Sequence, residues 1–369
     1  MEITEKIFEF TDEIGPEKIV HLYEPRTKMK AIVVVDNVAA GPAIGGVRMA
    51  PDVTTTEVRR LARAMTYKNI MAGLPHGGGK SGIIADPKTA NREQLIRTFA
   101  RGIKNLLEYI PGPDMGTDEA SMAYIYDEIS RAVGLPRELG GIPLDEIGAT
   151  GYGVAMCADI AKDYINLDLN GARITIEGFG NVGKPTARFL SEKGAILVAA
   201  SDSKGTIHNP KGLDVEELIR IKETTGSVTN YKAGEVLKTT DLLMVTTDIF
   251  IPAARPDVIN EANSDVLDAK LVIEGANIPV TENAEKMLHD RGILVVPDFV
   301  ANAGGVITAS VEYHGGTEAS AFERIKSTIP RNTKEILDKV YNEKTYPRET
   351  AIGIAKQRVM RAMKYREWM

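Results

Sequence analysis

Residues 173–183 read Arg173-Ile174-Thr175-Ile176-Glu177-Gly178-Phe179-Gly180-Asn181-Val182-Gly183: a short strand pattern that runs straight into three glycines at the G-x-G-x-x-G spacing. A helical pattern follows from Lys184 to Lys193 and leads into a second strand, Ala195 to Ala200. This order of strand, glycine turn, helix and strand is one βαβ unit, and it gives the hexamer its meaning. The first glycine allows the tight turn, the second lets backbone approach a pyrophosphate, and the third lets helix pack on strand. Gly178, Gly180, Asn181, Val182 and Gly183 are therefore candidate dinucleotide-binding residues, with phosphate at the helix N-terminus. Past the second strand come Ser201, Asp202 and Lys204. An acid there accepts hydrogen bonds from the ribose of NAD and a cation pairs with the 2′-phosphate of NADP, so either cofactor is expected.

Outward from this unit, strand patterns recur at Leu242 to Thr246, Leu271 to Glu274 and Ile293 to Pro297, with helical stretches between most of them. Continuous apolar strands joined by helices imply a parallel sheet covered on both faces, the doubly wound Rossmann arrangement. Toward the N-terminus, Ala31 to Asp36 and Ser81 to Asp86 read as strands, and Asn91 to Glu108 and Thr117 to Val133 as helices. Beyond Ser310 the chain reads as helical throughout. The expected fold is α/β in two domains. An N-terminal α/β substrate-binding and assembly domain spans 1–148 and is completed by a helical tail, 331–369, and the Rossmann domain spans 149–330. A length of 369 residues suits two domains of ordinary size.

One cysteine in the whole chain excludes a disulfide framework and a Cys-based zinc site, and points to a reducing cytosol. The first residues, Met1 to Lys6, lack the basic-then-apolar pattern of a secretory signal, and no run approaches 18 apolar residues. With 45 basic against 51 acidic residues there is no electrostatic footprint for nucleic acid. The one basic cluster, Lys356 to Arg366, alternates with apolar residues and reads as an amphipathic terminal helix.

A second glycine-rich stretch, Gly73-Leu74-Pro75-His76-Gly77-Gly78-Gly79-Lys80-Ser81, resembles a P-loop only superficially. Leu74 stands where the first P-loop glycine is required, and Lys80 leads into a strand pattern instead of a helix. What it offers is a lysine held by tightly turned backbone. Upstream, Thr54 to Glu57 has the capping-box form T-x-x-E, and Val58, Leu61, Ala62, Met65, Asn69 and Ala72 trace one helical face that also carries Lys68. A lysine on a buried face is costly unless it meets an anion or snorkels to the edge of the stripe, so Lys68 is either a candidate carboxylate binder or a solvated edge residue. Asp114 sits in the turn Pro111-Gly112-Pro113-Asp114-Met115-Gly116 just before a helix, where by itself it reads as a turn residue or cap.

Seven blocks in order then resemble the amino-acid dehydrogenases acting on glutamate, leucine, phenylalanine and valine: 41–49 (GPAIGGVRM), 65–83 (MTYKNIMAGLPHGGGKSGI), 113–117 (PDMGT), 149–154 (ATGYGV), 178–183, 274–277 (EGAN) and 302–306 (NAGGV). The resemblance implies that Lys68 holds the substrate α-carboxylate, that Lys80 is the catalytic lysine and that Asp114 is its proton-transfer partner. It places Gly45, Gly46, Gly78 and Val306 at the substrate, and Thr150, Asn277 and Asn302 near the nicotinamide. It implies NAD or NADP, no metal, and a homo-oligomer, commonly a hexamer or octamer.

The departures fall on the side-chain pocket. Glutamate enzymes of this family carry a lysine just before the Gly-Gly of the first block, where this chain has Ile44. Their serine four residues past the last glycine of N-A-G-G falls on Ala309, with Ser310 adjacent. A substrate carboxylate among these residues goes unpaired, so the resemblance leans to the leucine, valine and phenylalanine branch. The alternatives are a glutamate dehydrogenase making 2-oxoglutarate, and a catalytically silent nucleotide-sensing protein on the same fold.

Overall fold

The computed structural model describes residues 9–367, so the N-terminal reading of Met1 to Lys6 lies outside the described residues. The chain divides into two compact units: Met1–Pro143 with Val306–Ala321 and Ile352–Met369, and Leu144–Gly305 with Phe322–Ala351.

In the first unit, strands β1 (Lys18–Glu24), β2 (Met29–Asn37), β3 (Ala43–Ala50), β4 (Gly77–Ile84) and β5 (Tyr109–Pro113) form one sheet in the order β1-β2-β4-β3-β5. Strands β3, β4 and β5 run parallel, and β1 and β2 antiparallel to their neighbours. Side chains alternate between the two faces. One face carries Val33, Val35, Ala43, Val47, Met49 and Ile83 against α2 (Arg92–Gly102) and α3 (Glu119–Ile129). On the other, α1 (Thr55–Met71) packs Val58 and Ala62 on Ile32 and Val34. Thr54 caps α1 by accepting from the Glu57 N–H at 3.2 Å. The Glu57 carboxylate turns away to Arg48, so only half of the expected capping box serves as a cap.

In the second unit, seven strands line up as β12-β11-β10-β6-β7-β8-β9. Five consecutive strands from one edge, β12 (Leu294–Val296), β11 (Leu271–Ile273), β10 (Ile249–Pro252), β6 (Arg173–Glu177) and β7 (Ile196–Asp202), are parallel as expected. Two short antiparallel strands, β8 (Gly205–His208) and β9 (Glu235–Leu237), extend one edge. The helices named below are α4 (Ala149–Tyr164), α5 (Gly183–Ser191), α6 (Val215–Thr225), α7 (Glu282–Asp290), α8 (Asp298–Ala301), α9 (Gly304–Tyr313), α10 (Glu318–Glu343) and α11 (Pro347–Tyr365). Among the described residues no helix is long and apolar enough to cross a membrane.

Three expectations need correction. Leu242 to Thr246 is no strand. Leu242 and Leu243 reach the core from a 3₁₀ turn, and the strand is Ile249–Pro252, entered where the Asp248 carboxylate accepts the Arg173 N–H at 2.9 Å. The strand expected at Ser81 begins at Gly77, so Lys80 lies in regular extended structure and no tight turn holds it. The domain limits also shift. Residues 306–321 belong with the first unit, because Ala309 packs with Ile44, Ile110 and Val133 and because Glu312 accepts the N–H groups of Leu135 (3.1 Å) and Ile142 (2.8 Å). Residues 322–351 belong with the second, where Thr333 meets Cys157 (3.1 Å) and Asp338 accepts from Tyr164 (2.6 Å).

Candidate active site

The face of the first sheet beside α1 is read row by row. The register pairs Gly78 with Ile44 and Ile44 with Ile110, then Gly46 with Gly112, then Gly82 with Arg48. Lys80 falls beside Gly46, and Asp114 beside Arg48. One face thus grades from apolar (Ile44, Ile110) through bare glycine backbone to charge (Lys80, Arg48, Asp114) within three rows of strand.

Lys80 is 6% exposed and its Nζ lies 2.9 Å from Asp114 Oδ1. Arg48 Nε donates to the other oxygen, Oδ2, at 2.9 Å. Burial by itself raises the Asp114 pKa, but Lys80 and Arg48 outweigh it and hold the carboxyl below its ordinary value. The turn that carries Asp114 closes on itself. The Asp114 N–H donates to Thr117 Oγ1 (3.0 Å), and that hydroxyl donates to Val47 O on β3 (2.8 Å). Gly46 is required here, since a Cβ would stand 2.7 Å from Asp114 Cβ and 3.1 Å from Lys80 Nζ. Gly78 is required for a different reason: a Cβ there would meet the α1 backbone at Thr66 N, 2.1 Å away. A Cβ on Gly45 would strike Gly79 O.

Lys68 is half-buried in the last turn of α1. That turn is anchored to the glycine-rich strand by its neighbour Asn69, whose amide donates to Gly77 O at 2.7 Å. One turn earlier, Thr66 Oγ1 donates to the buried Asp36 carboxylate (2.6 Å), which also pairs with Arg63 (2.8 Å). Ile44 and Ala309 lie in one buried cluster with Ile110 and Val133, and Val306 is half-buried at the start of the same segment.

Sequence reasoning missed four residues here: Arg48, Glu57, Ile110 and Val133. Arg48 and Ile110 were within reach, because they stand at i+2 steps from Gly46 and from Gly112. Glu57 pairs with Arg48.

In the second unit the glycine turn fits a dinucleotide. Gly178 has φ +89° with Ala254 close by, and a Cβ on Gly183 would stand 2.1 Å from Gly178 O, so turn and helix are tightly packed. Gly180 faces open space, with nothing within 4 Å of a Cβ, and α5 begins without a side-chain cap on its N–H groups. Ser201 O accepts from the N–H groups of Gly178 (3.1 Å) and Phe179 (2.8 Å), and Asn181 donates to Asp145 (3.0 Å). Val182 packs beside Gly275, in the loop that carries Asn277. Asn302 donates to Ala276 O and Asn277 Oδ1, each at 3.0 Å, and its own Oδ1 is buried without a partner, an acceptor suited to a ligand amide. Thr150 lies against Gly305.

Asp202 is engaged differently from the sequence expectation. Its carboxylate takes Lys222 Nζ (2.7 Å), the Val228 N–H (2.8 Å), the Lys204 N–H (2.8 Å) and Ser227 Oγ (3.2 Å). These four donors satisfy it internally, while the Lys204 side chain is exposed. The loop carrying Asn277 is pinned by a group absent from the sequence reading. Arg348 pairs with Glu274 (2.8 Å), Glu285 (2.5 Å) and Asp298 (3.0 Å), and Asp298 accepts the Ile278 N–H at 2.8 Å. Burial, with Glu285 alongside, pushes Glu274 well above the usual carboxylate range. Among the described residues no cluster of three His, Cys, Asp or Glu is placed to hold a metal ion.

Family models match both parts of the chain: glutamate/leucine/phenylalanine/valine dehydrogenase over residues 140–367, and the dimerisation domain of the Glu/Leu/Phe/Val dehydrogenases over 17–131. A glutamate dehydrogenase of Aeropyrum pernix is 41% identical over 360 residues, covering 90% of this chain and 85% of its own. A glutamate dehydrogenase of Thermotoga maritima is 45% identical over 293 residues, covering 75% and 70%. The solved hetero-hexameric glutamate dehydrogenase of Thermus thermophilus, in its Leu-bound form, superposes with a TM-score of 0.86 at 29% identity, covering 95% and 90%.

Proposed function

The chain belongs to the glutamate/leucine/phenylalanine/valine dehydrogenase family, and we propose that it catalyses the reversible oxidative deamination of an L-amino acid with an apolar side chain, giving the 2-oxo acid and ammonia. The observation that carries the side-chain reading is the buried group Ile44, Ile110, Val133 and Ala309, at the apolar end of the strand face whose other end holds Lys80 and Asp114. None of these four side chains has a donor for a substrate carboxylate, so glutamate would leave its γ-carboxylate unpaired.

Bound NAD or NADP supplies the two-electron hydride acceptor. In this reading Lys68 holds the α-carboxylate and orients Cα. When hydride leaves Cα, the nitrogen lone pair closes a C=N bond. Lys80, in its unprotonated form, takes the proton of the water that adds to that carbon and passes it to the Asp114 carboxylate to which it is hydrogen-bonded. Asp114 delivers that proton to the amine nitrogen, and as Lys80 takes the remaining hydroxyl proton the C=O bond forms, C–N breaks and ammonia leaves. Asn277 and Asn302 would hold the nicotinamide carboxamide, Asn302 through its unpartnered Oδ1. Either dinucleotide would be accepted: with Asp202 neutralised by Lys222, a 2′-phosphate would meet little repulsion, and the exposed Lys204 would be its cationic partner. The enzyme acts in the cytoplasm as a homo-oligomer, in keeping with the match to a dimerisation domain.

The second reading is glutamate, favoured by the names of relatives at 41% and 45% identity. Steady-state kcat/KM for leucine, valine, phenylalanine and glutamate with each dinucleotide, followed at 340 nm, separates the two. A preference for glutamate overturns the apolar reading, and silence with every substrate and both cofactors overturns turnover altogether.

A further inference from the structure

We propose that Arg48, itself steadied by Glu57, is a positioning residue for the reaction: it fixes Asp114 so that one carboxylate oxygen faces Lys80. The proposal rests on the reading of Lys80 and Asp114 as the proton-transfer pair and adds a residue to it.

The geometry is a chain of alternating charge that links α1, β3, the turn after β5, and β4. Glu57, in the first turn of α1, pairs with Arg48 Nη1; Arg48 Nε donates to Asp114 Oδ2 at 2.9 Å; Asp114 Oδ1 lies 2.9 Å from Lys80 Nζ. Two acids and two bases make the array neutral, which suits groups of 7–36% side-chain exposure. Strand pairing sets the partners. The β3–β5 register ends with Val47 across from Pro113, which brings Arg48 beside Asp114 in the next row, and on the other side β3 pairs with β4, so both cations reach Asp114 from strands.

An aspartate held by Lys80 alone is free to rotate about its Cβ–Cγ bond. Holding Oδ2 with Arg48 leaves Oδ1 with a single direction, toward the lysine that it must serve. The Tyr109 phenol on β5 also feels the charge of this carboxylate. It is fully buried, bonded to Gly45 O (2.8 Å) and Ser81 (2.9 Å), and burial pushes its pKa up, so it stays uncharged.

Charge and geometry make opposite variants distinguishable. Arg48→Gln removes one of two cations beside Asp114, so the acid limb of the kcat/KM profile moves up by about one pH unit, and kcat/KM at its optimum falls about tenfold to a hundredfold. Arg48→Lys keeps the charge but loses the fork, so the limb stays near wild type while kcat remains reduced. Glu57→Gln strips the counter-charge from Arg48 at a half-exposed site, so the limb stays in place or moves down. A role confined to packing gives no such opposition. An Arg48→Gln limb that coincides with wild type, or a Glu57→Gln limb that moves up, overturns the proposal. Asp114→Asn, run beside them, tests the underlying pair. Full turnover there removes the pair itself, whereas a dead Asp114→Asn together with an unshifted Arg48→Gln overturns the role of Arg48 alone.

Discussion

Replacing Ile44 by lysine probes the apolar end of the site most directly. Ile44 is 3% exposed and packs with Ile110, Val133 and Ala309. In the wild-type protein a γ-carboxylate brought among these groups is a buried, unpaired charge. Breaking a buried pair by removal of one partner costs about 3–5 kcal/mol. At 1.4 kcal/mol per decade this discriminates against glutamate by about two to three and a half orders of magnitude in kcat/KM. Ile44→Lys supplies the missing cation. Without an acidic ligand the ammonium is itself poorly solvated, so the variant is less stable by about 3 kcal/mol, or a melting point roughly 6–12 °C lower. Leucine now meets a cation in place of a methyl surface and loses about 2 kcal/mol, or roughly thirtyfold in kcat/KM. Glutamate gains, and it also raises the melting point of the variant far more than that of wild type, because ligand that binds only the folded state stabilises it. Initial rates at 340 nm on the four amino acids, with thermal melts with and without glutamate, give both readouts. An unchanged leucine-to-glutamate ratio in Ile44→Lys refutes the placement of the substrate side chain beside residue 44, and a wild-type enzyme that already prefers glutamate refutes the argument from the unpaired carboxylate.

Lys80→Ala loses at least about a thousandfold in kcat while the dissociation constant for the reduced dinucleotide, followed by its fluorescence, stays within about twofold; near-normal kcat removes Lys80 from the chemistry. Lys204→Ala raises the KM for NADP about tenfold and leaves that for NAD nearly unchanged, and equal effects on both would separate Lys204 from the 2′-phosphate. Burial pushes His76 down to about 4, with Nδ1 at 3.1 Å from Pro42 O. Its folded value thus lies below the unfolded one, so the neutral ring contributes stability above about pH 6.5 that is lost as pH falls toward the folded value. Denaturant titrations of His76→Phe between pH 4 and 7 should show a flatter pH dependence than wild type, and parallel curves would refute the assignment.

Much of this site is legible in the chain because its chemistry sits in short blocks with rigid spacing. The strand-turn-helix order at 173–191 is local, and the structure reproduces it nearly residue for residue. Lys80 and Asp114 also meet as the family resemblance implies. Charge satisfaction is less visible. Asp202 stands where a ribose-binding acid is expected, yet four internal donors occupy it, three of them on Lys222, Ser227 and Val228, about 20 residues or more away. Arg348, more than 70 residues beyond Glu274, anchors the Asn277 loop in the same way. No local pattern announces such partners.

The two glycine-rich stretches show where the limit lies physically. Gly178 occupies a left-handed conformation and opens a turn, as its setting between strand and helix implies. Gly77, Gly78 and Gly79 look as much like a loop, yet all three are extended strand residues without positive φ. A glycine run has no side-chain periodicity to betray its class, so the difference rests on what approaches it: Thr66 of α1 over Gly78, and Tyr109 of β5 over Gly79. The same holds for the active face as a whole. Ile44, Gly46 and Arg48 are two residues apart, as are Ile110, Gly112 and Asp114, so each triplet announces a common face by the alternation of a strand. That the triplets lie side by side, apolar against apolar and cation against anion, depends on β3 standing between β4 and β5, an order produced by crossover connections. The register then converts two unremarkable triplets into one graded surface. It sets position 44 at the apolar end of that surface and position 48, two rows on, against the Asp114 carboxylate.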